Sequence, residues 1–140
     1  MKRWLVAGGT AVALLCVGFA SGRAPTLEGR YESIGVHVLA DGSRLTSYHS
    51  ILFVDDRFYA MTRLGDTQVE TSGKVRTRFS QRYFLDIQKS QTQGPLDGLD
   101  DSLRFNLLYS RNEGSVLELK PSAGCLYSLQ TQQLYCKNIN

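Results

Sequence analysis

The middle of the chain alternates between apolar and polar residues with a period of two. In the segment 68–79, Val69, Val75 and Phe79 occupy odd positions, whereas Lys74 and Arg76 occupy even positions. Because successive side chains of a strand point to opposite faces, this alternation predicts a β-strand with one buried face. Turn residues interrupt similar alternation at intervals of about 8–12 residues, which is typical of an all-β protein.

The predicted strands follow one another as a meander, and one inner face continues through the series. A meander that stays open has two exposed edges, and closure removes them. The pattern therefore predicts an all-β fold, an antiparallel up-and-down β-barrel of eight or nine strands, with a β-sandwich as the alternative. The 140-residue length favours one domain, which we place at residues 27–140.

Three tight turns set the predicted register of the first four strands. Pairing across Asp41-Gly42, Asp55-Asp56 and Gly65-Asp66 carries the choice of inner face from each strand to the next. In this register His37 points outward. The residues expected to face inward are Ile34, Val36, Val38 and Ala40; Leu45, Ser47, His49, Ile51 and Phe53; Phe58, Ala60, Thr62 and Leu64; and Val69, Thr71, Val75, Thr77 and Phe79.

The later strands continue the inner face. A three-residue turn at 80–82 sets Arg76 opposite Asp86 and begins a fifth strand. The further residues expected to face inward are Tyr83, Leu85, Ile87, Leu103, Phe105, Leu107, Tyr109, Leu117, Leu119 and Tyr127. The polar stretch between the fifth and sixth strands, SQTQGPLDGLDD, is expected to be a loop.

Two cysteines bracket the last predicted hairpin. A two-residue turn at Gln130-Thr131 places Cys125 opposite Cys136, and it also pairs Leu129 with Gln132. Directly opposed residues come close enough to form a bridge when they are a non-hydrogen-bonded pair. An even number of cysteines in an exported chain is typical of a disulfide, so we predict a Cys125–Cys136 bond.

The N-terminus predicts export. Lys2 and Arg3 precede an apolar run from Trp4 to Phe19 and then small residues, the layout of a secretory signal peptide, which we place at residues 1–22. An uncleaved membrane anchor and a lipoprotein modified at Cys16 are the alternatives. The expected location is periplasmic or secreted, and membrane contact is expected only through an uncleaved N-terminus.

Removal of the signal changes the charge. Lys2 and Arg3 leave with it and no acidic residue does, so the formal net charge falls from +3 to +1. Nonspecific nucleic-acid binding thereby loses its main support. The sequence contains no catalytic signature, and no third ligand accompanies the two histidines, so we expect neither an enzyme nor a metal or other cofactor.

The stretch LEGRYES at residues 27–33 resembles the opening of lipocalin-like domains, which begin the first strand with Gly-x-Trp. Gly29 matches, and Tyr31 stands at the tryptophan position. The resemblance implies a barrel with a cavity for a small amphipathic or lipid-like ligand. By register, the candidate lining residues are His49, Phe53, Phe58, Phe79, Tyr83 and Tyr109.

A row of basic residues offers a second, non-catalytic function. These residues share the outer face, beside the apolar side chains of Leu52, Tyr59 and Met61, a composition found in protein interfaces. The alternative hypothesis is therefore an inhibitor or immunity-type module that docks an acidic envelope partner through this face and its loops. The row consists of Arg57, Lys74, Arg76, Arg78 and Arg82.

Overall fold

The computed structural model describes residues 25–39, 41–78, 81–95 and 112–137. The described residues form eight strands that close in chain order into an antiparallel barrel, so the predicted fold class is confirmed. The strands are β1 (Gly29–Val38), β2 (Arg44–Val54), β3 (Arg57–Leu64), β4 (Thr67–Arg78), β5 (Arg82–Gln93), β6 (Val116–Ser122), β7 (Cys125–Ser128) and β8 (Leu134–Lys137).

Several predictions fall outside the described residues. They are the signal peptide at 1–22, Ala40, Phe79 and the strand that carries Tyr109. Among the residues that are described, no helix is long and apolar enough to cross a membrane.

The predicted register of β2, β3 and β4 is confirmed. Val54 pairs with Arg57 across a two-residue turn, and Asp55 and Asp56 both adopt positive φ values of 50° and 57°, as a type I′ turn requires. Leu64 pairs with Thr67 across Gly65-Asp66. Both turns contain two residues, so the inward-facing residues of each strand pair with inward-facing residues of the next, as expected.

The predicted register of β1 is wrong by one residue. Leu39 N donates to Ser43 O and Gly42 N to Leu39 O, both at 2.9 Å, which encloses a three-residue loop that ends with Gly42 at φ 81°. Val38 consequently pairs with Arg44. A one-residue slip exchanges the two faces of a strand, so the predicted inner residues Ile34, Val36 and Val38 are exposed, and Tyr31 packs inward against Phe53.

The pairing of β4 with β5 differs from the prediction by two residues. Arg78 pairs with Arg82, so Arg76 lies opposite Phe84 rather than Asp86. An even shift preserves the face of every side chain, and Tyr83, Leu85 and Ile87 are buried as predicted. A bulge at Ser72/Gly73 then changes the pairing register over the remaining part of the two strands.

The last hairpin contains the predicted disulfide. Cys125 pairs with Cys136 at a Cα–Cα distance of 4.2 Å, and the two are bonded. Tyr127 pairs with Leu134 as expected, but both face outward, so the prediction that Tyr127 faces inward is wrong. The expected Leu129–Gln132 pair does not form, because Ser128 N donates to Gln133 O and closes a longer loop.

The barrel wall is complete only over part of its height. β6 pairs with the Tyr83–Asp86 part of β5, and β8 pairs with β1 only through Tyr31 and Glu32. Most of the apolar core fills the part where all eight strands meet. That core is formed by Leu27, Ile51, Phe53, Phe58, Tyr83, Leu85, Ile87, Leu117, Leu119, Leu126 and Tyr135.

Candidate binding surfaces

Three of the candidate lining residues form the centre of the core. Phe53, Phe58 and Tyr83 are among the most completely buried side chains of the described residues. The Tyr83 hydroxyl donates to Pro25 O at 2.7 Å, which ties the segment that precedes β1 to the barrel. These aromatic rings fill the lumen by packing on their neighbours, so they act as core residues in this structure.

His49 faces inward as predicted and is held from both ring nitrogens. The Tyr135 hydroxyl donates to Gln133 Oε1 at 2.6 Å, so the Gln133 amide nitrogen faces His49 Nε2, at 3.0 Å. An amide nitrogen can only donate, so Nε2 accepts and Nδ1 carries the proton. Nδ1 then donates to Thr62 Oγ1 at 3.1 Å. The imidazole is therefore neutral and fully bonded.

Burial makes this neutral form strongly preferred. Desolvation, with a smaller contribution from His37, lowers the pKa of His49 to about 4. Burial also raises the pKa of Tyr135 to about 12, so its hydroxyl stays protonated and available to Gln133. In the part of the chain that the structure describes, no buried side-chain polar atom lacks a hydrogen-bond partner.

The cavity beside His49 has a volume of about 20 Å³. Its wall includes Thr62, Thr71, Leu117 and Tyr135. This volume accommodates about one water molecule, whereas sites for drug-sized ligands occupy roughly 300–1,000 Å³. The lumen around His49 is therefore filled by side chains, as an eight-stranded barrel permits.

His37 also faces the inside, contrary to the predicted outward orientation. The one-residue slip of β1 turns it inward, where its Nε2 lies 2.9 Å from Ser47 Oγ. Within the described ranges, no group of three or more His, Cys, Asp or Glu side chains is placed to hold a metal ion.

The predicted basic row lies on the outer face, and its five side chains are exposed. Arg57 pairs with Lys74, as the register predicted. The Arg76 guanidinium forms two hydrogen bonds with the Asp86 carboxylate, which hold the pKa of Asp86 below its usual value. Arg82 forms an ion pair with Glu118 at 2.6 Å.

The other three cations of the row are not neutralised in the same way. Among the described residues, Arg57, Lys74 and Arg78 have no carboxylate within ion-pair distance. The Arg78 guanidinium lies 5.3 Å from the centre of the Phe84 ring, a cation–π contact. These three residues keep their charge available to a partner.

A shallow groove of about 830 Å³ runs across the outer face from β1 to β5. Leu52, Tyr59 and Met61 supply an apolar floor, consistent with the apolar outer surface expected from the sequence. Charged side chains surround this floor: Arg30, Glu70, Lys89 and Glu113. The arrangement can hold a partner or ligand that has both an apolar part and a polar part.

The sequence pattern missed the most exposed apolar residues. Ile34, Val36 and Val38 are 71%, 61% and 69% exposed on the outer face of β1. A three-residue loop at 40–42 would have revealed them, because the alternation of β1 by itself is compatible with either face.

The fold and the bond between Cys125 and Cys136 define a disulfide-bonded, eight-stranded up-and-down β-barrel. The disulfide indicates a location outside the cytoplasm. No protein-family model, curated protein or solved structure matches this chain. The resemblance to lipocalin-like domains therefore stays a prediction.

Proposed function

We propose that the protein is an exported, non-catalytic binding protein that docks an acidic protein partner on its outer face, in the manner of an inhibitor or immunity protein. The observation that carries the proposal is the charge on Arg57, Lys74 and Arg78, which no carboxylate of the described residues neutralises. Exposed cations of this kind attract a negatively charged surface and speed its association.

The neighbouring apolar groups support a protein contact. Tyr59 is exposed on β3 next to Arg57, and Leu52 lies opposite Tyr59 on β2. Tyr and Arg are enriched where proteins bind one another, because they combine apolar area with hydrogen-bonding groups. The partner would cover this floor and place its carboxylates over the row.

The filled lumen also favours recognition on the outside. A ligand of lipocalin type would have to displace buried rings such as Phe53 and Phe58, because the cavity beside His49 holds about 20 Å³. Separating packed aromatic side chains costs several kcal/mol per residue, to judge from truncations that remove them.

A small amphipathic ligand is the second candidate, and the outer groove favours it. The volume of about 830 Å³ lies in the range of small-molecule sites, and its apolar floor and charged margin suit such a molecule. In this candidate function the site is the groove and not the lumen.

Native mass spectrometry of the protein purified from the exported fraction tests both candidates. We expect an acidic polypeptide to accompany the wild-type protein. Lys74→Glu should lose this partner, whereas the matched control Lys120→Glu, which makes the same change at an exposed position on β6, should retain it. A bound small molecule, or equal binding by the two variants, would contradict docking on the basic row.

Salt provides the second readout. Association with an acidic partner should slow as ionic strength rises, and Lys74→Glu should reduce this dependence. An amphipathic ligand held on Leu52, Tyr59 and Met61 would instead be lost on Met61→Asp and would respond weakly to salt.

A further inference from the structure

Between Ser33 and Val38, one edge of β1 has no partner strand among the residues that the structure describes. β8 pairs with β1 only at Tyr31 and Glu32. The hydrogen bond from Leu39 N to Ser43 O shows that the odd residues of β1 bond to β2. Hydrogen-bonded and non-bonded pairs alternate in an antiparallel ladder, so the even residues direct their N–H and C=O groups to this edge.

The same even residues carry the exposed apolar side chains. Ile34, Val36 and Val38 are 71%, 61% and 69% exposed. Edge strands usually resist association through Lys, Pro or other polar residues. The Gln88–Gln93 part of β5, beyond its pairing with β6, is polar and includes Lys89, whereas β1 between Ser33 and Val38 contains no charged residue or proline.

The pattern of β1 is symmetric about Val36. If a second β1 pairs with it in antiparallel orientation, Val36 lies opposite its own copy and Ile34 lies opposite Val38 in both halves of the contact. Such an arrangement satisfies a two-fold axis, because the same patch serves both subunits. It also pairs the hydrogen-bonding groups of the even residues with one another.

We propose that this edge is a homodimer interface, in which β1 of a second copy pairs with β1 around Val36. The joined strands extend one sheet through both subunits and set β-branched side chains opposite each other on its outer face. Cross-strand pairs of this type stabilise antiparallel sheets.

The charges next to the edge complement each other across the two-fold axis. Arg44 is exposed and pairs with Val38, and no described carboxylate forms an ion pair with it. In the dimer, Val38 of one copy faces Ile34 of the second copy. Glu32 of the second copy lies two residues further along the same strand. Strand spacings place the Arg44 and Glu32 Cα atoms roughly 12 Å apart, within the combined reach of the two side chains.

The interface does not depend on the proposed function. Val54, at the far end of β2 from Arg44, is the neighbour of Arg57 across the turn. The basic row therefore lies toward the opposite end of the barrel from this edge. In the dimer, the basic row of each subunit stays accessible. Loss of the acidic partner in Lys74→Glu and loss of the dimer are separate outcomes.

Light scattering after size exclusion, over a series of concentrations of the exported wild-type protein, tests the proposal. We expect a dimer that dissociates on dilution. Val36→Lys, which places a charge on the two-fold axis, should raise the dimer dissociation constant at least about tenfold. The control Val54→Lys makes the same change at another exposed valine and should leave it unchanged. Matching circular dichroism spectra of Val36→Lys and Val54→Lys would show that the barrel is intact, whereas loss of the dimer lowers the apparent melting temperature of Val36→Lys.

Cysteine substitution tests the register. Directly opposed residues in a hydrogen-bonded pair lie about 5.5 Å apart between Cα atoms, within disulfide range. Val36→Cys should therefore form a covalent dimer under mild oxidation, faster than Val54→Cys. A wild-type protein that is monomeric at high concentration, a dimer that survives Val36→Lys, or equal cross-linking of the two cysteine variants would overturn the proposal. A different polypeptide that protects Val36→Cys from cross-linking would also overturn it.

Discussion

His49 makes the stability of the barrel depend on pH in a calculable way. Its pKa is about 4 in the folded protein, against an ordinary value of 6.5. The folded state therefore binds this proton less readily than the unfolded chain does. Stability contributed by the neutral imidazole is complete above pH 6.5 and is lost as the pH falls toward 4.

The size of the loss follows from the two pKa values. A shift of one pKa unit corresponds to about 1.4 kcal/mol, so acidification from pH 7 to pH 4 should lower the unfolding free energy by about 3 kcal/mol through His49. Protonation would also turn Nε2 into a donor that faces the Gln133 amide nitrogen, which is itself a donor. Protonation would therefore break this contact, in addition to the desolvation cost that lowers the pKa of His49.

Urea unfolding at several pH values measures the effect. Trp4, the sole tryptophan, precedes residue 22, so circular dichroism or tyrosine fluorescence is the suitable signal for protein processed at the predicted site. His49→Gln removes the titrating group and keeps a polar side chain. The wild-type protein should lose about 3 kcal/mol more than His49→Gln between pH 7 and pH 4.

Other acidic groups largely cancel in this comparison. The carboxyls of Asp41 and Asp86 also have lowered pKa values, and they titrate in both proteins. His37→Gln is the matched control at the second histidine, and it should keep most of the dependence because desolvation is the larger cause. Equal pH dependence in wild type and His49→Gln, or an NMR titration of His49 near pH 6.5, would refute the reasoning.

Two further predictions concern covalent and steric constraints of the barrel. Cys125→Ser should lower the unfolding free energy by about 3 kcal/mol in urea titrations. The double variant with Cys136→Ser should lower it by a similar amount, because each change removes the same bond. Additive losses would show another role for the thiols. Gly73→Ala should lower the unfolding free energy by about 2–3 kcal/mol, because the added Cβ would overlap the Asp86 carbonyl oxygen at the bulge. The neighbouring Ser72→Ala should lower it much less. Equal shifts in melting temperature for the two variants would contradict this prediction.

Turn length explains which parts of the fold could be predicted. The Asp55-Asp56 and Gly65-Asp66 turns contain two residues, the commonest hairpin loop, so the faces of β2, β3 and β4 followed from alternation. Asp41-Gly42 has the composition of such a turn, yet Gly42 closes a three-residue loop. Local residue types do not distinguish these two loops, and one extra residue reverses the face of β1.

The Arg76–Asp86 ion pair forms although the predicted register is wrong by two residues, because both side chains can reach across the ladder. Arg76 was expected opposite Asp86 and lies opposite Phe84, but it still bonds the Asp86 carboxylate. Diagonal neighbours across a ladder remain within reach of a long side chain. Salt bridges on one face therefore tolerate an even register error.

The character of the lumen could not be obtained from residue types. Ser47, His49 and Thr62 face inward as predicted, and such polar groups are equally compatible with a ligand cavity. The lumen is filled because these polar side chains bond to other residues, above all Gln133 from the loop before β8. The alternation of apolar and polar residues does not predict such contacts. Whether polar residues face a ligand or one another depends on these distant contacts.

The His49 contacts also compensate for the short ladder between β1 and β8. That ladder stops at Glu32, one residue before Ser33, which lies opposite His49 on β2. Gln133 and Tyr135 reach His49 from the β8 side at this level, and His49 contacts Thr62 on β3. Side-chain hydrogen bonds across the interior therefore connect the β8 side of the barrel to β2 and β3 where the backbone ladder between β1 and β8 ends. Because these interior bonds maintain closure, the proposed pairing of a second copy along β1 does not require the barrel to open.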